Sequence, residues 1–546
     1  METYDSKQKI LQSQKLFNKA VFQANTSYRK GDFNSSMAWA QIAAHFAFIR
    51  HPGFYVSPAL ESILLKIAEK IKDQSQKNSP VFTLKSRLKD SGKMRFLYVV
   101  TESYGSGGHS AFIARWIKNA SGNSVHSLVS TAKNGELPEI LASALEESGG
   151  WHCSLSDMSQ SLVERALFLR QLANRWADVV VLFVHPFDPV PTVAFGVEGG
   201  PPVIFCNHAD HAFWLGVSIT DVSVDYHSLG SLISRKRRGI NDSKILPIPL
   251  LKGKADPHDK LETRKKLGLE ENEIMMLTVA REEKFLPYGG YNYFEVMVNF
   301  LKQNPNIKLF AVGPTHQGRW VEASALVGGR IKALGTLDRS SLDELFAVAN
   351  IYVSSFPCGS GTAMLEAGMH GVPMVGLQIN MLPHITGQDD VAFTKLPVHV
   401  ASISKLTASL MQVINDPFGS KERAAQVKEN IEREHCSPGW NLYLDNVLQS
   451  LPSQHHLRKL TIQGGDMDSS DFYLAYLDSE MLSDELVEHS FGRLVRVYSK
   501  YLPRNDSLML QAKSLYDALP KVYNLQKAKE YLYNLKEFIQ IGLIAK

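Results

Sequence analysis

Short apolar runs that close on turn residues, alternating with segments of helical period, constrain this chain more than any other feature, and the pattern occurs twice. "MRFLYVV" from Met94 leads into "TESYGSGGHS" and the helical stretch "AFIARWIKNA". "ADVVVLFVHP", "PPVIFCNH" and "SKILPIPL" are further runs of the same kind. After "LKGKADPHDKLETRKKLGLEENE" the pattern restarts with "IMMLTVA", "YFEVMVNFLKQ", "IKLFAVG", "IKALG", "SLDELFAVA" and "IYVSSF". Runs this short and this apolar suit strands buried on both faces, which requires a parallel sheet covered by helices. The expectation is an α/β chain with two Rossmann-like doubly wound parallel-sheet domains joined near residues 250 to 270. Ligands should lie in a cleft beyond the C-terminal ends of the strands.

Neither end of the chain fits this pattern. Residues 1–92 read as helical, with "FNKAVFQANTSYRKGDFNSSMAWAQIAAHFAFI" and "SPALESILLKIAEKI" placing apolar residues at helical spacing. Residues 456–546 open on a linker-like stretch and continue as tyrosine-rich amphipathic segments, "SDELVEHSFGRLVRVYSKYL", "DSLMLQAKSLYDAL" and "LQKAKEYLYNLKEFI". Such stripes pack on themselves or on a neighbouring domain more often than on a partner.

Composition excludes several classes. At 546 residues the chain is too long for one core. With 44% hydrophobic and 21% charged residues it has the make-up of an ordinary globular protein. A net charge of +4 suits anionic ligands but falls short of a nucleic-acid footprint, so no nucleic-acid partner is expected. Cys153, Cys206, Cys358 and Cys436 are isolated, which argues for a reducing compartment. The N-terminus lacks the apolar core of a signal peptide, and no window reaches the roughly 18 apolar residues of a spanning helix. A cytoplasmic location is expected. "SRKRRG", Ser234 to Gly239, leaves open a peripheral contact with the inner face of a membrane.

Four stretches could carry chemistry. "ESYGSGGHS" is a turn between a strand and a helix, with Gly105, Gly107 and Gly108, that could meet an anion, though it is neither GxGxxG nor a P-loop. "FCNHADHAFWLG" sets His208, Asp210 and His211 at a strand end, where active-site groups gather. No third spaced ligand accompanies those histidines, so no metal is expected. His185 in "FVHPFDP" is a weaker candidate of the same type. "LTVAREEKFLPYGG" places Arg281 and Lys284 after the first strand of the second unit, and paired cations there suit a diphosphate. In "PCGSGTAMLEAG", Gly359, Ser360, Gly361 and Thr362 let the backbone approach a phosphate. Glu366 follows Thr362 by one helical turn, placed to accept ribose hydroxyls. Together these groups suit a nucleoside diphosphate held without a metal.

The order of these motifs resembles the donor domain of GT-B glycosyltransferases, most like the large retaining group 1, family 4-like enzymes. The matching text runs from "LTVAREEKFLPYGG" through "LFAVGP" and "IKALGTLDRSSLDELFAVANIYVSSF" to "GTAMLEAGMHGVPMVGL". The first unit agrees more loosely, through "GSGGHS", His208 and "RRGINDSKILPIPL", and neither terminal extension is covered. The resemblance implies an acceptor domain over 93–255, a nucleotide-sugar donor domain over 256–438, and a helix over 439–455 that crosses back. It implies sugar transfer from a UDP- or GDP-sugar to a glycan, lipid-linked or protein acceptor, with no other cofactor. Arg281 and Lys284 would bind the diphosphate, Ser360 to Thr362 the phosphates and Glu366 the ribose. Gly107 and Gly108 would lie under the phosphate and His208 near the sugar. An inverting enzyme would need a base, with Asp210, His211 and His109 as candidates. Cys358 stands where the family often carries a sugar-reading glutamate, so the sugar and the stereochemistry stay open. An inverting protein glycosyltransferase, a sugar-nucleotide epimerase and a non-catalytic scaffold remain the alternatives, and oligomeric state is undetermined.

Overall fold

The computed structural model describes residues 2–74, 92–102, 108–120, 122–132, 137–252, 260–379, 389–460, 467–482 and 487–503. Two parallel sheets carry the fold. The first contains β1 (Met94–Val100), β2 (Ser124–Ser130), β3 (His152–Ser154), β4 (Val179–Phe183), β5 (Val203–Asn207), β6 (Val222–Asp225) and β7 (Ser243–Ile245). Their order is β3-β2-β1-β4-β5-β6-β7. The second contains β8 (Ile274–Val279), β9 (Ile307–Val312), β10 (Ile331–Ala333), β11 (Ile351–Val353), β12 (Met374–Leu377) and β13 (His399–Val400), ordered β10-β9-β8-β11-β12-β13. Both are doubly wound, with the strand order reversing beside β1 and β8, and the two-domain expectation holds. That reversal opens a crevice at the C-terminal strand ends of each sheet.

Burial explains why the sheets were legible. β4 and β5 are buried at every position, the signature of strands covered on both faces. β6, in "TDVSVDYH", has no such apolar run, yet it too is wholly buried. Its polar groups are satisfied internally: Asp225 accepts from Asn207 Nδ2 at 2.7 Å, Ser234 Oγ at 2.9 Å and Ser243 Oγ at 2.7 Å. One glycine is fixed by close approach. Gly313, after β9, has φ +112°, and a Cβ there would lie 2.1 Å from the Ala280 carbonyl oxygen. The Arg281 loop thus rests directly on the neighbouring strand end.

The terminal helices are built into this frame. Glu2–Arg29, Phe33–Ile49 and Pro58–Ile71 are helices, the last two capped by Asp32 and Ser57. Trp39 and Leu64 share one apolar cluster with Leu97 and Val99 of β1 and with Phe491 near the C-terminus. Glu61 is buried and accepts from the Gly216 amide at 2.7 Å and from the Ser218 hydroxyl. The helix Pro417–His435 packs on the second sheet through Val427 and Ile431. Gly439–Gln449 packs on the first, where Trp440 Nε1 donates to the Pro247 carbonyl at 2.7 Å. Further on, Ser469–Met481 joins the second core through Tyr473, and Val487–Val497 joins the first through Phe491. The later segments "DSLMLQAKSLYDAL" and "LQKAKEYLYNLKEFI" lie outside the described residues.

"SRKRRG" is not a solvated loop but the end of the helix Ser228–Arg238. Arg238 is fully buried, and Arg237 pairs with Asp471 at 3.0 Å and Asp468 at 3.1 Å. Two of its four cations therefore face protein, leaving Arg235 and Lys236 exposed. Among the described residues, no helix is long and apolar enough to cross a membrane.

Candidate active site

A cavity of about 520 Å³ lies between the two sheets, and most of the residues singled out from sequence border it. On the second domain's side, Arg281 and Lys284 follow β8, and Gly359, Gly361 and Thr362 follow β11. Lys284 Nζ donates to the Gly359 carbonyl at 2.8 Å, so two stretches 75 residues apart form one unit. The helix Gly361–Met369 begins at this turn, presenting unpaired backbone N–H groups to the cavity. No atom lies within 4 Å of a Cβ built at Gly361, so that approach is open. Ser360 precedes the helix as its cap residue without a side-chain cap bond and does not border the cavity. Arg281 is 74% exposed and turns toward Glu283, 2.9 Å away.

The first domain supplies His208, Asp210 and His211 from the loop after β5. Arg238 holds that loop: its Nη2 donates to the carbonyls of Asp210 at 2.9 Å and Ala212 at 2.6 Å, and its guanidinium lies over Trp214. Burial pulls the Arg238 guanidinium down to about 10, with Asp225 opposing. Asp210 Oδ1 is 3.3 Å from His211 Nδ1, and Asp210 Oδ2 is 3.1 Å from His227 Nε2. Burial alone would raise the Asp210 carboxyl, but the two histidines outweigh it and hold the group well below 3.8.

His227 escaped the sequence reading, although it stands two residues after β6 much as His208 stands one after β5. Its Nδ1 lies 3.2 Å from Asp389 of the second domain, which also accepts from Ser228 Oγ at 2.8 Å. Burial opposes the charged imidazole, yet the two carboxylates win and raise His227 well above 6.5. One cation thereby ties the two domains together at the edge of the cavity.

The third wall comes from the terminal helices. Phe48, Ile49 and His51 reach the cavity from the N-terminal side, and Leu474, Leu477, Asp478 and Met481 from the helix Ser469–Met481. None of these was singled out from sequence, because an amphipathic stripe carries no sign of the surface it meets.

Glu366 does not border the cavity. Its Oε1 is 2.9 Å from Arg115 Nη2 of the first domain and 2.7 Å from Arg339 Nη1. Cys358 does border it, and burial pushes its thiol upward. His185 does not, and its ring contacts Phe187 instead. Gly107 lies outside the described residues, as do the surroundings of Gly108 and His109, whose backbone opens the helix Gly108–Asn119. Among the described residues, no group of three or more His, Cys, Asp or Glu side chains is arranged to hold a metal ion.

Comparison with known proteins bears on the second domain directly. Residues 259–434 match the family described as glycosyl transferases group 1. A GDP-mannose-dependent monoacylated alpha-(1-6)-phosphatidylinositol monomannoside mannosyltransferase of Corynebacterium glutamicum is 26% identical over 208 residues, 36% of this chain and 53% of that protein. This chain thus spans about half the length of that curated relative. Anabaena HepE, crystallised with UDP and glucose, is 15% identical, with a TM-score of 0.49 over 66% of this chain and all of its own. A Thermobaculum terrenum O-GlcNAc transferase variant is 13% identical, with a TM-score of 0.46 over 80% of this chain and 81% of its own. The matched segment holds Arg281, Lys284, Gly359 to Thr362 and Glu366, whereas Gly107, Gly108 and His208, also assigned to the donor from sequence, lie outside it.

Proposed function

We propose that the chain transfers a hexose from a nucleoside-diphosphate sugar to an acceptor hydroxyl, without a metal or further cofactor, in the synthesis of a glycan or glycoconjugate. The observation that carries this reading is the Lys284–Gly359 unit beside Arg281 at the mouth of a helix. A fixed cation and converging N–H groups are what a departing diphosphate needs, because its charge develops as the sugar–oxygen bond breaks. In the transfer, the bond between sugar C1 and the diphosphate oxygen breaks and the diphosphate leaves with the electron pair. A new bond forms from C1 to the acceptor oxygen, which gives up its proton.

The other assignments follow the same frame. Gly359, Gly361 and Thr362 flank the phosphates, and the same role is assigned to Gly107, Gly108 and Ser360 from the sequence resemblance alone. Both cations on Glu366 meet its Oε1, so a ribose hydroxyl would meet Oε2. His208 lies on the sugar side, and Asp210, His211 and His109 are the groups available to take the acceptor proton. The description of the Corynebacterium relative favours GDP-mannose as donor, with UDP-sugars second. The reading places the reaction in the cytoplasm, with any membrane contact peripheral.

A thermal-shift series with uridine, guanosine, adenosine and thymidine diphosphates tests the reading. A nucleotide at 100 times its Kd adds about 2.7 kcal/mol to the folded state, and one of the four should do so. Lys284→Ala should abolish that shift and lower kcat/KM about 10² to 10³-fold, the usual cost of losing one charge-stabilising donor. No shift with any of the four removes the proposal.

A further inference from the structure

The helix Ser469–Met481 lies outside the family match, yet one of its faces lines the reaction cavity. Leu474, Leu477, Asp478 and Met481 stand at i, i+3, i+4 and i+7, the spacing of a single helical stripe. Other faces of the helix hold it in place. Tyr476 donates to the Pro287 carbonyl at 2.8 Å and Tyr473 packs edge-on to Tyr288, both on the second domain. Asp471 binds Arg237 of the first domain and His51 of the N-terminal segment, at 3.0 and 2.7 Å. The helix is thus clamped to three parts of the molecule, and the remaining stripe faces the cavity between the two domains.

That stripe has an unusual composition for a packed surface. Met481 is 51% exposed, and Leu477 is only partly covered. Between them sits Asp478, whose Oδ2 accepts from the His51 amide at 2.6 Å. Desolvation pushes its carboxyl up to about 7, against the pull of that amide and of Arg50. A ligand hydroxyl donating into this carboxylate would restore hydrogen bonding that desolvation has removed.

Resting on the transferase reading above, we propose that this stripe is the acceptor subsite. Asp478 receives the acceptor's hydroxyl, and Leu474, Leu477 and Met481, with Phe48 of the N-terminal helix Phe33–Ile49, hold an apolar aglycone. The acceptor class is then an amphipathic glycoside or alcohol, a hydroxyl-bearing head joined to a hydrocarbon portion. Polar recognition alone would not call for three aliphatic side chains beside one carboxylate.

The test uses the full-length protein, with GDP-mannose and UDP-glucose as donors and methyl and n-octyl glycosides of mannose and glucose as acceptors. Burying about two methylenes is worth about tenfold, so the octyl acceptor should show a KM at least about tenfold below its methyl counterpart. Met481→Gln should narrow that ratio. Asp478→Asn keeps a carbonyl for the His51 amide, and should raise KM for both acceptors about tenfold or more while the nucleotide-induced thermal shift stays intact. Equal KM values for octyl and methyl acceptors, no turnover of either, or an unchanged acceptor KM in Asp478→Asn overturns the subsite. Loss of the nucleotide shift in the wild-type protein overturns the transferase reading itself, and the subsite with it.

Discussion

The two α/β domains share one strand order, but their strand ends are finished in opposite ways. In the first, the groups around the cavity are tied down by the protein itself. Arg238 holds the 209–212 loop through its carbonyls, and Asp225 is saturated by serine hydroxyls and Asn207. In the second, the turn after β11 is braced by Lys284 from one side, and the N–H groups of its helix remain open to a ligand. Groups already held by several contacts within the protein fix geometry, whereas donors left open at a helix start bind. Substitutions at Arg238 and Asp225, which hold the first region's loop and strand, should therefore register as stability, and substitutions at Lys284 and its turn as nucleotide affinity and turnover.

Arg238→Met gives the largest expected effect on the stability side. It strips donors from the Asp210 carbonyl and the buried Ala212 carbonyl, at a cost of about 2–4 kcal/mol. A shift in denaturant midpoint measures it. A loss below about 1 kcal/mol, or a collapse of nucleotide affinity with the fold intact, would break the contrast between the domains.

How much of this was visible beforehand follows the same divide. The donor-side residues were legible because phosphate binding demands small residues and cations at strand ends, and neither requirement depends on distant packing. β4 and β5 announced themselves by unbroken apolar runs, whereas β6 did not, since Ser223 and Asp225 occupy its buried layer. His227 was hidden with it. Asp478 and Phe48 were illegible for a different reason: sequence gives the stripe of a helix but not the body that meets it. Arg237 and Arg238 were illegible in the same way, because a basic run suggests an anionic surface until Asp471 and Trp214 are seen beside it.

His227→Gln should have a smaller and pH-dependent effect. Of its two charge-assisted contacts, the one to Asp389 joins the domains and the one to Asp210 lies within the first, and losing both costs about 2–3 kcal/mol at most where the imidazole is charged. An imidazole raised in the folded chain binds its proton more tightly there. Its stabilisation is complete below about 6.5 and is lost as pH rises through the raised value. The depressed carboxylates of Asp210 and Asp389 act in the other direction, losing their contribution as pH falls below about 3.8. Melting temperature in the wild-type protein should therefore decline on the alkaline side more steeply than in His227→Gln. Parallel alkaline slopes would show that this contact is not what couples the domains.

Arg115→Ala should produce the smallest change and probe the boundary between the two regions most finely. Arg115 belongs to the first domain's helix Gly108–Asn119 and Glu366 to the second domain's helix Gly361–Met369. Their side chains are 17% and 12% exposed, so the pair is shielded, yet Glu366 keeps Arg339 at 2.7 Å on the same oxygen. With that second cation in place, removing Arg115 does not strand a bare carboxylate, and the stability cost should stay near 1 kcal/mol or below. If Glu366 holds the ribose through Oε2, its hold on the nucleotide should change only a few-fold. A tenfold or larger change in nucleotide KM would mean that donor binding depends on a cation supplied by the first domain. The open and self-satisfied halves of the cleft would then be one cooperative unit.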